Sequence, residues 1–199
     1  VSKITKYIIP LMIISSIALS GCVSLPQAPA EKITVAQASQ ADTWELKGKI
    51  AIKTPDDNVS TNLYWLHSPQ NNQLKLITML GTTALSLTDN QQGASLDVDG
   101  HTYHNKDAQQ LLNQVSGWDI PLTELPMWVT GQATANDHII SRNQQGQIKQ
   151  LQSDDPLPWH IDYRSWQQQS GATIPRLMII RRGQLQIKIQ VNQWQAYAN

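Results

Sequence analysis

The chain changes its hydrophobic period twice, and each change marks a boundary. Tyr7 to Leu19 is an almost continuous apolar run of Ile, Leu and Met interrupted by Pro10. Glu31 to Ala41 places Ile33, Val35, Ala36 and Ala38 among polar residues, a pattern that predicts a short helix. From Trp44 the period becomes two. Trp44, Leu46, Ile50 and Ile52 alternate with Glu45, Lys47, Lys49 and Lys53, the signature of a half-buried strand. Gly48 interrupts this strand where a bend or bulge is expected.

Turn chemistry then recurs at short intervals. Thr54-Pro55-Asp56-Asp57-Asn58, Asn71-Asn72, Gly81, Asn90 to Gly93 and Asp99-Gly100 separate strands predicted over 59–67, 73–79, 83–88, 94–98 and 101–104. The alternation stops for about 25 residues. Asp107 to Val115 has a helical stripe ending near Gly117, and Leu122 to Val129 reads as a second short helix distorted by Pro126. Strands resume over 138–142, 147–151, 158–165, 176–182 and 185–192; in the last, Leu185, Ile187, Ile189 and Val191 share one face. About eleven one-sided strands and two short helices predict a mainly β fold, a strongly curved antiparallel sheet or barrel with the helices packed against its concave side. Strands of this length are short for an outer-membrane barrel.

The first 22 residues assign the compartment. Lys3 and Lys6, the apolar run, then Leu19-Ser20-Gly21-Cys22 follow the order of an export signal. The last four residues resemble the lipobox of bacterial lipoproteins, and the single cysteine of the chain falls at its end. That resemblance implies a signal peptide over 1–21, lipidation of Cys22, and a tether with a short helix over 22–43 ahead of one domain over 44–199. Val23, rather than the Asp that marks inner-membrane retention in enterobacteria, implies the outer membrane. The lone cysteine excludes a disulfide framework or a multi-cysteine metal site.

Charge narrows the partners. Lys+Arg 15 against Asp+Glu 15 gives no bulk attraction to nucleic acid, and loss of residues 1–21 leaves 13 basic against 15 acidic side chains. No catalytic motif is present: there is no Gly-rich phosphate loop, Gly-x-Ser-x-Gly elbow or His-Glu-x-x-His. His101 and His104 lack an acidic cluster, and Asp154 and Asp155 lack a partner for acid–base work. The chain therefore reads as neither an enzyme nor a metalloprotein, and no cofactor is expected. Seven Trp against no Phe admits two readings. In one, tryptophan fills a wide curved core; in the other, one concave face forms a lipid-sized apolar cavity. Met79 and Leu80 sit between two strands where a turn favours polar residues, so they either fold under the rim or contact lipid.

Together these segments resemble the LolB family of outer-membrane lipoprotein receptors, within the LolA/LolB-like group. The resemblance rests on Trp44-Glu45-Leu46-Lys47-Gly48, Leu63-Tyr64-Trp65, Leu76-Ile77-Thr78-Met79-Leu80-Gly81, Gly117-Trp118-Asp119-Ile120-Pro121-Leu122, Leu125 to Gly131 and Gly183 to Trp194, in that order. It narrows the fold to an incomplete (open) antiparallel β-barrel with a helical lid over an apolar cavity, and implies that this cavity takes acyl chains, with Trp44, Leu46, Ile50, Ile52, Trp65, Leu76, Leu112, Trp128, Ile187 and Ile189 as expected lining. It also implies Met79 and Leu80 as a membrane-inserting loop, although the family usually has Pro where Met79 stands, so a looser tip is expected here. The implied partners are a LolA-like periplasmic carrier, client lipoproteins and outer-membrane lipid, with the protein acting as a monomer. The readings set beside it are a soluble carrier of the same fold, an envelope scaffold whose tryptophans only fill a core, and a lipid-modifying enzyme.

Overall fold

The computed structural model describes residues 31–198, so the signal sequence, Cys22 and the tether to Ala30 lie outside the described residues. The chain forms β1 (Lys32–Ile33), a single 3-10 turn (Ala38–Gln40), β2 (Thr43–Lys53), β3 (Asn58–Ser68), β4 (Asn71–Ile77), β5 (Thr83–Asn90), β6 (Gly93–Val98) and β7 (His101–Asn105). Helices α1 (Ala108–Ser116) and α2 (Leu125–Val129) follow, then β8 (Asp137–Arg142), β9 (Ile148–Ser153), β10 (His160–Gln169), β11 (Ala172–Arg182) and β12 (Leu185–Tyr197).

All strands join one antiparallel sheet in the order β7-β6-β5-β4-β3-β2-β12-β11-β10-β9-β8, with β1 added beside β12. The first meander runs outward from β2 to β7, and the second returns from β8 to β12, which pairs with β2. β7 and β8 are the two ends of the sheet and are not paired with each other, so the barrel stays open. The chain segment that links them carries both helices. α1 packs on β5, β6 and β7, and α2 on β11, covering the concave side from opposite edges.

One-sided alternation produces this curvature by putting every second side chain inside. In β2, Trp44, Leu46, Ile50 and Ile52 are buried while Lys47, Lys49 and Lys53 are exposed. Gly48 lies against β12, where a Cβ would overlap the Gln190 carbonyl oxygen, and the register slips there between Val191 and Gln193. That bulge reverses the phase of β12: Ile187, Ile189 and Val191 point inward before it, Trp194 and Ala196 after it. β12 therefore runs past Asn192, where the simple alternation ends, to Tyr197.

The segment expected as a helix over 31–41 is mostly extended. Lys32 and Ile33 pair with Tyr197 and Ala196, and Val35 N donates to Ser170 O at 2.8 Å. Only Ala38–Gln40 turns, closed by a capping box between Gln37 and Gln40. Backbone partners on β12 and the 170–171 turn outcompete a weak local helical preference. The second helix is likewise confined to Leu125–Val129, with Pro126 in its first turn, where a missing N–H costs nothing. α1 follows its stripe closely: Asp107 caps it by accepting from Gln110 N at 2.7 Å, and Gly117 ends it in the left-handed region at φ 74.

Candidate functional site: an apolar groove beside an exposed Met-Leu tip

The β4–β5 connection is built to hold two apolar side chains in solvent. Gly81 N donates to Thr78 O at 3.0 Å with Gly81 at φ 84, making Met79 and Leu80 the two central residues of a tight turn. Thr78 N donates to Thr82 O at 2.8 Å, and the two threonine hydroxyls meet at 2.7 Å, which closes the base of the loop. Met79 is 96% and Leu80 92% exposed. These hydrogen bonds supply the closure that a proline at position 79 would otherwise favour.

Directly behind the tip lies a groove of about 600 Å³. Val59 and Thr61 of β3, Leu76 of β4, Leu85 of β5, Val98 of β6, and Val115 and Trp118 at the end of α1 line it, with Met79 at its lip. Its size falls within the range of small-ligand sites; apolar atoms make up the larger part of its wall, and Asp57, Ser60, Thr78, Asp99 and Ser116 also line it. Two other hollows, of about 470 and 560 Å³, are lined largely by Asn, Gln, Ser, Arg and Asp side chains near β8–β11, which suits hydrocarbon poorly.

All ten interior residues named from the sequence are buried on the concave side: Trp44, Leu46, Ile50, Ile52, Trp65, Leu76, Leu112, Trp128, Ile187 and Ile189. They belong to one continuous core cluster with Leu63, Leu85, Leu87, Leu96 and Leu111. Of the ten, Leu76 reaches the groove, and Trp65 lines a void of about 20 Å³ near the start of α1, together with Leu74, Leu87, Asp89, Ala108 and Leu122. The other eight belong to the same buried cluster. Val59, Leu85, Val98, Val115 and Trp118 complete the groove and are not singled out by alternation, because four of them sit at or just beyond strand or helix ends.

Trp44 and Trp65 meet edge to face at 5.2 Å, and His67 stacks on Trp44 at 4.8 Å. Burial holds the His67 imidazole below its usual range, offset in part by the hydrogen bond with Asn72. At the α2 side Trp128 Nε1 donates to Asp137 Oδ2 at 2.9 Å, Tyr163 OH donates to Trp128 O at 2.9 Å, and Arg182 lies 4.5 Å over the Trp159 ring. Arg182 also pairs with Asp119, tying the segment after α1 to β11. Burial pushes the Asp89 carboxyl up, with the Asp107 charge adding to it.

No acid–base or metal constellation accompanies the groove. His101 and His104, three apart on β7, point to opposite faces of the strand. Asp154 approaches His138 at 3.6 Å, and Asp155 accepts from Ser153 Oγ at 2.6 Å. Among the described residues no group of three or more His, Cys, Asp or Glu could hold a metal, and no helix is long and apolar enough to cross a membrane.

An open antiparallel sheet whose linking segment carries two short helices is a fold found in a solved structure as well. A LolA superfamily protein of solved structure from Nitrosomonas europaea matches with a TM-score of 0.51 at 10% identity, covering 82% of this chain and 90% of that one. Sequence comparison is more specific. The family described as "Outer membrane lipoprotein LolB" matches residues 42–194. Proteins named outer-membrane lipoprotein LolB are 54% identical over 92% of the chain and 90% of the relative in Shewanella frigidimarina, and 48% identical over 98% and 92% in Shewanella baltica strain OS155. The chain belongs to the LolB family of outer-membrane lipoproteins.

Proposed function

We propose that this protein is a lipid-anchored receptor on the periplasmic face of the outer membrane. It accepts lipoproteins from a LolA-like carrier by taking their acyl chains into the groove, and it inserts them into the membrane. The observation that carries this reading is the juxtaposition, at one end of the barrel, of an apolar groove of about 600 Å³ and the exposed Met79–Leu80 tip. In this account Cys22 carries the anchor, and Met79 and Leu80 enter the bilayer. The ten buried interior residues form the wall against which acyl chains pack as α1 yields.

The physical demand is to move hydrocarbon without exposing it. At about 0.8 kcal/mol per methylene, one long acyl chain in water costs on the order of 10 kcal/mol. Direct passage from carrier to groove to bilayer avoids that cost, so transfer runs downhill in affinity with no nucleotide and no covalent step. The protein acts as a monomer without a cofactor, and it performs no catalysis.

The test is a titration of the mature chain carrying Cys22→Ala with a fluorescent long-chain acyl probe, followed by challenge with an acylated lipoprotein. Saturable one-to-one binding that the lipoprotein displaces is expected. A cooperatively folded chain that binds no probe would overturn the proposal and leave a scaffold with a tryptophan-filled core.

A further inference from the structure

The tether and the tip leave the barrel at opposite ends. β1 pairs with the last residues of β12, Lys32 with Tyr197, beside the start of β2 at Thr43. β4 ends at Ile77, level with Lys49 of β2 across Asn62, so the Met79–Leu80 tip projects toward the other end. The rise from Thr43 to the level of Lys49 and on through Thr78 to the tip is about 30 Å. The nine residues from Cys22 to Glu31 reach at most about 30 Å. With the strands upright, the tether must be drawn out to its full length before the anchor and an inserted tip can meet the same bilayer. With the strands lying along the membrane, both meet it with the tether relaxed.

Charge selects the side that lies down. On the convex face, Lys75 of β4, Tyr64 of β3 and Lys47 of β2 are in register, with Lys49 two residues on from Lys47 and Lys188 on the neighbouring β12. Lys47, Lys49 and Lys188 are exposed and Lys75 half-buried. Glu45, the carboxylate within this group, is already engaged by Lys47 at 2.7 Å and by the Tyr64 hydroxyl at 3.1 Å. Lys49, Lys75 and Lys188 have no acidic partner among the described residues. Further along the same face, Asp162 is held by Arg181 at 2.7 Å. Asp97 of β6 shares this face at its edge, level with Lys75 across Ser86 of β5, and the helical side carries Asp107, Asp119 and Glu124. A chain with no net charge thus places Lys49, Lys75 and Lys188 without acidic partners on one face, Lys75 in the strand that runs into the apolar tip.

The geometry points to the convex face of β2, β3, β4 and β12 as a docking surface for anionic phospholipid headgroups of the membrane that holds the anchor. Lys49, Lys75 and Lys188 are its main contacts, and docking lays the barrel on its side so that tip and anchor engage together. The inference rests on the reading of the chain as an anchored receptor. A lysine at an anionic surface strengthens association roughly fivefold.

The test uses the full lipidated protein, in which Cys22 is blocked by its lipid, with a fluorophore on Asn62→Cys between Lys49 and Ile77, or on Asn113→Cys of α1 as the control. Iodide quenching is measured on vesicles of equimolar phosphatidylglycerol and phosphatidylcholine, and on phosphatidylcholine alone. Docking predicts that the label at position 62 is shielded only on the anionic vesicles and released by high salt, while that at 113 stays open. The triple variant Lys49→Gln, Lys75→Gln, Lys188→Gln should weaken docking by about two orders of magnitude, and the matching Lys→Arg triple should retain it. Equal quenching at 62 on both vesicles, or shielding at 113 instead, would overturn the inference. Acyl-probe binding on the same samples reads the receptor proposal separately: its loss with shielding at 62 intact would count against the receptor and not against the docking face.

Discussion

Replacing Leu80 with Glu isolates the membrane step from folding and from acyl binding. Leu80 is 92% exposed, and the turn that presents it is held by Gly81 N–Thr78 O at 3.0 Å and by the Thr78–Thr82 pair, none of which uses the Leu80 side chain. Folding stability should therefore change by no more than about 0.5 kcal/mol. Moving a leucine side chain from water into hydrocarbon is worth about 1.5–3 kcal/mol, and a carboxylate forfeits all of it. Insertion driven by the tip should fall by roughly one to two orders of magnitude. The assay is delivery of a labelled lipoprotein from its carrier complex into floated liposomes, run beside a urea melt and the acyl-probe titration. The account requires slow delivery with an unchanged melt and unchanged probe binding, and Leu80→Ile should restore delivery. Delivery at the wild-type rate by a folded Leu80→Glu protein would refute a role for the tip.

Three further outcomes follow from the packing. Gly48→Ala places a Cβ on the Gln190 carbonyl oxygen and must straighten or shift the β12 bulge, so a loss of about 1–3 kcal/mol is expected in urea unfolding. Asp137→Ala strips Trp128 Nε1 of its 2.9 Å acceptor inside the α2 contact, which should cost about 1–3 kcal/mol in the same measurement. Burial lowers the His67 pKa from 6.5 in the folded state, so the unfolded chain binds the proton more readily. The stability His67 confers is complete above that value and is lost as pH falls toward the folded pKa; the urea midpoint should drop between pH 7.5 and 5.5 and drop less in His67→Gln.

Most of the sheet is legible in the sequence because one face of each central strand is buried, and period-two alternation is the direct trace of that burial. Trp44 to Lys53 and Leu185 to Val191 read correctly for this reason. The signal fails where partners lie far along the chain. Lys32 and Ile33 become a strand only because Tyr197 and Ala196 are waiting for them, and no local pattern encodes that meeting. It fails again at bulges: Trp194 and Ala196 look out of phase until the slip between Val191 and Gln193 is known. Pro175 breaks the run that joins Ala172 to Arg182, yet it sits at the irregular pairing of β10 and β11, where the ladder tolerates it.

The site divides in the same way. Alternation identifies which strand side chains face inward, and the eight of the ten that lie on strands are buried, as are Leu112 and Trp128 on the helices. It cannot say where the interior opens, because the groove is made by the rim: Val59 at a strand start, Val98 at a strand end, Val115 and Trp118 at the close of α1. Leu76 is the residue where the two sets meet. The tip stood out for the opposite reason: two apolar residues in a turn contradict the local chemistry, which left burial under the rim or exposure open, and the fold exposes both.

The most direct test places a photo-crosslinking residue at Val115 or Leu76 in the groove, and at Gln190 on the convex face, and illuminates each protein during transfer of a triacylated lipoprotein from its carrier. The account predicts adducts to the acyl chains from positions 115 and 76 and none from 190. Adducts only to the polypeptide of the client, or acyl adducts at 190 with none in the groove, would contradict it.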